Sequence, residues 1–160
     1  MQVRHKIETI RGSSSDLLVD LVEGVSGTYV SILARHHNYR LNDISVTLDR
    51  SGFAGLKQVI AQVDAVIAQL QANRRIFSGP ELKRLHIPMF GVPTRNVTEI
   101  ECGWVVNLHF ALVYRPFSDG YIRLFALGPD RRYRGAVIYL DEWRYKKLKR
   151  AVDKIERMTG

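Results

Sequence analysis

The chain repeats itself weakly at a spacing of 92 residues, and this repeat constrains the fold more than any other feature. Residues 29–66 align without a gap on residues 121–158, with seven identities among 38 pairs. The apolar positions match as well, because Val30 and Ile32 fall opposite Ile122 and Leu124. The alignment keeps a strand period and then a helix period in register. It therefore predicts one supersecondary unit that is used twice.

Each unit has four short segments of alternating or branched residues, followed by a helix. In the first unit the predicted strands are Gln2–Ile10, Asp16–Glu23, Thr28–Arg35 and Asp43–Leu48. After the expected N-cap Asp49, apolar residues recur every three or four positions, which predicts a long helix. In the second unit the predicted elements are Val97–Trp104, Val106–Arg115, Gly120–Leu127, Ala136–Leu140 and a helix from Glu142 to Met158, capped by Asp141.

The predicted fold is α+β, with tandem ββββα repeats that form two four-stranded antiparallel sheets and two packed helices. Residues 1–77 are the first repeat, 78–96 a linker and 97–160 the second repeat, together one intertwined domain and an intramolecular pseudo-dimer. One four-stranded sheet with one helix gives a thin core, so two copies are expected to share one. The alternative is that the apolar stripe of the first helix covers only its own sheet.

Charge favours a polyanionic partner. The net charge is +8 and the isoelectric point about 9.9, which is typical of nucleic-acid-binding domains, although surplus Lys and Arg also serve solubility. Residues 81–160 hold 15 Lys and Arg against 9 acidic residues, whereas residues 1–80 hold 9 against 7. The second repeat should therefore attract the partner more strongly.

Cysteine content and hydropathy indicate the cellular compartment in which the protein is expected. The single cysteine, Cys102, cannot form an internal disulfide, so a reducing intracellular compartment is expected: cytoplasm, nucleus or an organelle matrix. No apolar run has the length of a membrane helix, and the N-terminal residues lack a signal-peptide core, so no membrane association is expected.

Strand alternation places aromatic and basic side chains on the sheet faces that point away from the helices. Unpaired bases stack on aromatic rings while cations hold the phosphates, so this mixture predicts a surface for single strands. The loops before the fourth strands and before Gly120 extend it, since arginine both pairs with phosphate and stacks on bases. The predicted contacts are Tyr29, Arg35, Tyr39, Arg40, Arg115, Phe117, Tyr121, Arg123, Arg131, Arg132, Tyr133, Arg134 and Tyr139.

Each of these surfaces also has a structural interpretation that involves no nucleic acid. The outer aromatics, Phe125 among them, are alternatively packed against a partner subunit or the other sheet. The arginine-rich loop is alternatively a solvated hairpin, and the basic residues of the second helix are interpreted mainly as its solvent face.

Catalytic motifs are missing from the sequence. It has no glycine-rich phosphate loop, no nucleophile elbow and no close carboxylate pair on the predicted outer faces. His36 and His37 are adjacent, but no carboxylate or cysteine near them in sequence completes a metal ligand set. We therefore expect no enzyme activity, no cofactor and no metal. A metal-dependent nuclease that uses these two histidines is the enzymatic alternative.

Two stretches resemble a known repeat. Leu18-Val19-Asp20-Leu21 followed by Gly27-Thr28-Tyr29-Val30-Ser31-Ile32 resembles the Pur-alpha repeat, and Gly120-Tyr121-Ile122-Arg123-Leu124 keeps its aromatic and basic residues. Gly135–Leu140, leading into the last helix, resembles the positive-cofactor-four coactivators. The doubled ββββα order is similar to the plant Whirly proteins and the mitochondrial guide-RNA-binding proteins.

The resemblance implies a binder of single-stranded nucleic acid. In Pur-alpha-like proteins the aromatic after the glycine contacts bases, which points to Tyr29 and Tyr121, and the basic residue two positions later lies beside the strand, which points to Arg123. Ser31 and Thr28 depart from the basic pattern, so the first repeat is expected to bind more weakly. The lysine-glycine-lysine motif of the Whirly proteins is missing.

The sequence as a whole predicts a non-enzymatic protein that binds single-stranded DNA or RNA, forms a dimer or tetramer, and acts in transcription, replication and repair, or RNA metabolism. The alternative is a protein-interaction scaffold that uses the same sheet faces for oligomerisation.

Overall fold

A computed structural model describes residues 2–72, 98–114, 120–128 and 135–160 of the chain. In these ranges each half forms a four-stranded antiparallel sheet followed by one helix, which confirms the predicted tandem ββββα fold. The first half consists of β1 (Val3–Arg11), β2 (Ser15–Gly24), β3 (Gly27–His36), β4 (Ile44–Leu48) and α1 (Arg50–Ala72). The second consists of β5 (Thr98–Val105), β6 (Leu108–Tyr114), β7 (Gly120–Ala126), β8 (Ala136–Leu140) and α2 (Glu142–Thr159). The predicted linker, 78–96, lies outside the described residues.

Pairing of the third and fourth strands of each sheet follows the repeat residue by residue. Val30 pairs with Leu48 in the first sheet, and the equivalent residues Ile122 and Leu140 pair in the second. Both helices also begin with the same cap. The Asp49 carboxylate accepts from the Gly52 N–H at 2.7 Å, and the Asp141 carboxylate accepts from the Arg144 N–H at 2.8 Å. The repeat found in the sequence is therefore a structural repeat.

A β-bulge in the first strand of each sheet extends the repeat beyond the aligned residues. In β1 the register against β2 shifts between Lys6 and Glu8, and in β5 the register against β6 shifts between Glu101 and Gly103. A bulge adds one residue and so reverses the alternation beyond it. Gly103, at the end of the shift, has φ +142°, a conformation that residues with a Cβ rarely adopt.

Each helix packs chiefly against the sheet of the other repeat. The main strand contact of α1 is with β5, and that of α2 is with β1. At the first contact the position of a Cβ on Gly103 would lie 3.3 Å from Val59 of α1, and at the second Arg144 Nε donates to the Arg11 carbonyl at 2.6 Å. Apolar residues of both sheets and both helices form one hydrophobic cluster. The exchange of helices thus closes a core that neither repeat provides alone.

The helices also contact each other through a buried tyrosine. Tyr145 of α2, 4% exposed, donates from its hydroxyl to Asp64 Oδ1 at 2.7 Å and lies 3.2 Å from the Ile60 carbonyl oxygen of α1. Burial, followed by the bond to Asp64, raises the pKa of Tyr145. Lys149 Nζ is 3.2 Å from the same carboxylate oxygen. These contacts confirm the predicted packing of the two helices on each other.

Two further findings concern the predicted location. Cys102 is buried and is not in a disulfide. Neither of the two helices in the described ranges is long and apolar enough to cross a membrane.

Candidate functional site

Three ring-bearing side chains and a valine form a row across the outer face of the second sheet. Trp104 of β5 pairs with His109 of β6, which pairs with Phe125 of β7, which pairs with Val137 of β8. We call these four residues the ring row. The Trp104 and His109 ring centroids are 4.5 Å apart with their planes inclined by 41°. Trp104 remains 51% exposed, so a large part of its ring is accessible.

Hydrogen bonding and backbone shape hold the ring row in place. His109 is only 6% exposed, and its Nε2 lies 3.0 Å from Glu101 Oε1 on the neighbouring strand. The Phe125 ring passes close to Gly135, where a Cβ would lie 2.6 Å from Phe125 Cζ, so a side chain at position 135 would displace the ring. The rings of His109 and Phe125 are therefore positioned by their surroundings.

An ion pair lies beside the ring row. Arg123 of β7 makes a salt bridge through Nη2 with Glu99 Oε1 of β5, across the intervening β6 residues. Tyr139 of β8 pairs with Arg123 in the register and is half-buried. The predicted cation is thus on the outer face, as expected, but Glu99 neutralises it. Sequence alternation alone cannot show such a pairing, because the two residues are 24 positions apart.

The first sheet has no ring row. Its corresponding residues on the paired strands are Thr9, Leu18, Leu33 and Ser45. An ion pair is present here too, since Arg4 Nη1 lies 2.7 Å from Asp20 Oδ2. At these positions the outer face of the first sheet therefore offers no adjacent rings to a flat ligand.

Tyr29 lies at the edge of a cavity. Its hydroxyl accepts a hydrogen bond from Gln2 Nε2 at 2.9 Å, and its side chain is half-buried. The cavity, of about 690 Å³, lies between the ends of β2 and β3, the start of α1 and the end of α2, and Phe53 and Glu156 also line it. Tyr29 is thus engaged with neighbouring residues rather than displayed on an open face.

The remaining described candidates of the first repeat lie at the other end of β3 and in the loop after it. Arg35 Nε is 3.3 Å from Asp43 Oδ2. Tyr39 is 86% exposed, and the Arg40 guanidinium carbon lies 5.9 Å from its ring centroid. With about 3.3 Å per strand residue, Arg35 is about 20 Å from Tyr29 along the strand. The structure does not bring these candidates together with Tyr29.

The adjacent histidines are tied to the start of β2. His36 Nδ1 lies 3.3 Å from Ser15 Oγ, and His37 Nε2 lies 2.8 Å from Asp16 Oδ1. Burial of the Asp16 carboxylate acts to raise its pKa. The hydrogen bonds from His37 and from the Gly12 N–H outweigh this effect, so the pKa of Asp16 is lowered overall. The carboxylate near His37 comes from a paired strand, so the sequence did not indicate it. Among the described residues, no three His, Cys, Asp or Glu side chains group as a metal site would require.

Several predicted contacts fall outside the described residues. These are Arg115, Phe117, Arg131, Arg132, Tyr133 and Arg134, for which the predictions stand as made. Tyr121 is described in its backbone only, where it pairs with Val113 of β6.

Sequence reasoning missed Trp104 and His109. Strict alternation along β5 would put Trp104 on the same face as Ile100 and Cys102, but the bulge turns it to the outer face opposite His109. A glycine directly before the tryptophan is the local signal that would have suggested a bulge.

Comparison of the chain with models of known protein families found no match, and a search of curated proteins found none either. The resemblance to single-stranded nucleic-acid binders therefore stays an interpretation of the sequence.

Proposed function

We propose that the protein binds single-stranded nucleic acid, DNA or RNA, on the outer face of its second sheet and does so without catalysis. The observation that carries the proposal is the ring row, in which Trp104, His109 and Phe125 are direct neighbours on three adjacent strands. Single strands expose base faces that stack on accessible rings such as that of Trp104, 51% exposed, at about 1–3 kcal/mol per base, whereas the bases of a duplex are already stacked. The surface thus suits single strands better than duplexes.

Arg123 supplies the cation of this site. It lies on β7 between Ala111 and Tyr139 in the register, one row from the rings. When a phosphate replaces Glu99 as its partner, the guanidinium exchanges one ion pair for another and keeps its charge compensated. The two glutamates of β5, Glu99 and Glu101, then act against binding, which keeps non-specific adhesion of anionic polymers low.

The supporting experiment compares matched single-stranded DNA, single-stranded RNA and duplex at two salt concentrations by fluorescence anisotropy. We expect both single strands to bind more tightly than the duplex, and the affinity to fall as salt rises. Replacing Trp104 by Ala should weaken single-strand binding by about 1–3 kcal/mol, which is about five- to 150-fold. Thr9→Ala, at the equivalent position of the first sheet, is the control and should change the affinity little.

Two binding results would refute the proposal. One is the lack of any oligonucleotide binding together with self-association that does not respond to salt, which would favour the scaffold alternative. The other is an equal loss of single-strand and duplex binding in Trp104→Ala, which would exclude stacking on the ring row. Cleavage of the oligonucleotide that a chelator abolishes would instead favour the nuclease alternative based on His36 and His37.

A further inference from the structure

A stripe of one tryptophan and four cations runs along the outside of α2. Its members are Trp143, Lys147, Arg150, Lys154 and Arg157, which follow one another at intervals of four, three, four and three residues. This spacing places them on one face of the helix, over about 21 Å at 1.5 Å per residue. We call these five residues the α2 stripe. It faces away from the core, into which Tyr145, Leu148 and Ile155 of the same helix are buried.

The stripe differs from the other described cations of α2 in having no acidic partners. Arg144, Lys146 and Lys149 pair with Asp141, Glu142 and Asp64. In the described part of the chain, none of the four cations of the stripe has a carboxylate within ion-pair distance. Four unpaired positive charges on one line repel each other, so the surface gains from an anionic ligand with closely spaced charges.

An exposed tryptophan begins the stripe. Trp143 is 58% exposed, Lys147 Nζ lies 5.5 Å from its ring centroid, and the Arg150 guanidinium carbon lies 5.7 Å from it. The ring thereby orients two cations by cation–π attraction while much of its own surface remains accessible. A ring beside oriented cations suits a ligand that has both flat groups and negative charges, as nucleic acid does.

The first repeat provides an internal comparison. The residues of α1 that correspond to the stripe are Ser51, Gly55, Gln58, Gln62 and Ala65, none of which is charged. The two helices share their cap and their buried face, so neither folding nor packing requires the cations of α2. The stripe is a property of the second repeat alone, like the ring row.

We propose that the α2 stripe is a second binding surface for nucleic acid, which holds the phosphate backbone of the part of a strand that extends beyond the sheet. The class of ligand rests on the proposed function. An anionic membrane is disfavoured as the occupant because the apolar face of α2 is buried in the core, and only Trp143 and the exposed end residue Met158 would reach a bilayer. The stripe adds to the salt dependence that Arg123 gives the sheet site, while the ring row accounts for stacking.

The two tryptophans of the chain test the two surfaces separately. Trp104 belongs to the ring row and Trp143 to the α2 stripe, and the sequence holds no other tryptophan. Trp104→Phe leaves Trp143 as the only indole emitter, and Trp143→Phe leaves Trp104. Both side chains are about half exposed, so both variants should fold. With single-stranded DNA of about 30 nucleotides we expect quenching in both variants, and with about six nucleotides mainly that of Trp104.

A pair of double variants tests the charges. Lys147→Gln with Arg150→Gln removes two cations of the stripe, whereas Lys146→Gln with Lys149→Gln removes two that are already paired on the same helix. The two double variants change the net charge of the protein by the same amount. For the longer DNA we expect the slope of log affinity against log salt to flatten by about 1.4 in the stripe variant, at about 0.7 per phosphate contact, and by much less in the control.

The outcomes separate this inference from the proposed function. If Trp104 responds and Trp143 does not, or if the two double variants behave alike, the stripe does not bind nucleic acid and the sheet proposal stands. If only Trp143 responds, the stripe is confirmed and the ring row is not the binding surface. If neither responds and no DNA binds, both proposals fail. A Trp143 response to phosphatidylserine vesicles without one to DNA would assign the stripe to an anionic membrane and overturn the inference.

Discussion

The most direct test of the second-sheet site is to release Arg123 from its ion pair. In Glu99→Gln the carboxylate that holds the guanidinium is replaced by a neutral amide of similar shape. The side chains are 30% and 42% exposed for Arg123 and Glu99, and exposed pairs of this kind contribute at most about 1 kcal/mol to folding. The free energy of unfolding should therefore fall by less than about 1 kcal/mol, and the protein should remain folded.

Binding, by contrast, should become tighter. In the wild type a phosphate must displace Glu99 from Arg123 and then stay near a like charge, and two unit charges about 6 Å apart in water repel by about 0.7 kcal/mol. Removing this repulsion and the competition for the guanidinium should together give about 1–2 kcal/mol, which is about five- to 30-fold in affinity at low salt. The gain should shrink at high salt, because screening weakens both effects.

The assay is anisotropy with a labelled single strand at several salt concentrations, with urea unfolding as the check on stability. Glu8→Gln on β1 is the control, since it makes the same change in net charge on the first sheet. A result in which Glu99→Gln binds no more tightly than Glu8→Gln at low salt would contradict the assignment of Arg123 as a phosphate contact. Equal gains in the two variants would mean that only the net charge matters.

Three other predictions concern the scaffold that positions the site. Tyr145→Phe should lower the free energy of unfolding by about 1–2 kcal/mol in urea titration, because it removes the hydroxyl bonded to Asp64 between the helices; an unchanged midpoint would mean that this bond adds nothing to the packing. Asp16, whose pKa is lowered in the fold, should stabilise above its ordinary pKa of 3.8 and lose that contribution as the pH falls through the lower folded value. Asp16→Asn should thus be less stable than wild type at neutral pH and lose less stability in acid, and parallel pH profiles would speak against the bond to His37. Gly103→Ala should cost about 1–3 kcal/mol in thermal unfolding because of its φ of +142°; a neutral effect would show that the bulge adapts to a side chain.

The repeated elements could be predicted from the sequence because the core needs the same pattern twice. Val30 and Leu48 face the shared interior, as do their equivalents Ile122 and Leu140, so their apolar character is kept in register. The capping residues Asp49 and Asp141 are matched for the same reason, since each helix must satisfy its first N–H groups.

The sequence pattern could not predict that each helix packs chiefly on the sheet of the other repeat. A stripe such as Leu56, Val59 and Val63 shows which face of α1 is buried, but not which sheet covers it. In the structure the partner is β5 of the other repeat. The choice depends on the three-dimensional fit of both units at once, which no local spacing encodes.

The candidate site was predicted in part, for reasons that differ from residue to residue. Alternation correctly placed Arg123 and Tyr139 on one outer face, because β7 and β8 pair without a bulge. For Trp104 strict alternation would give the wrong face, because one extra residue at Cys102 reverses the alternation beyond it. Alternation also could not predict the ion pair of Arg123 with Glu99, because β6 lies between the strands that carry the two residues.

The two repeats share a core but not a surface, and this asymmetry predicts how many strands one chain binds. A scaffold with two equal outer faces would bind two strands alike, yet the ring row and the α2 stripe both belong to the second repeat. In the first repeat Thr9 and Ser51 occupy the positions equivalent to Trp104 and Trp143. Stacking energy and unpaired cations are thus concentrated in one half. We therefore expect one oligonucleotide of about six nucleotides per chain in titration calorimetry, with that one event weakened in the Trp104→Ala variant. Two equivalent binding events per chain would show that rings and cations outside the described residues, or the cavity beside Tyr29, serve the first repeat equally well.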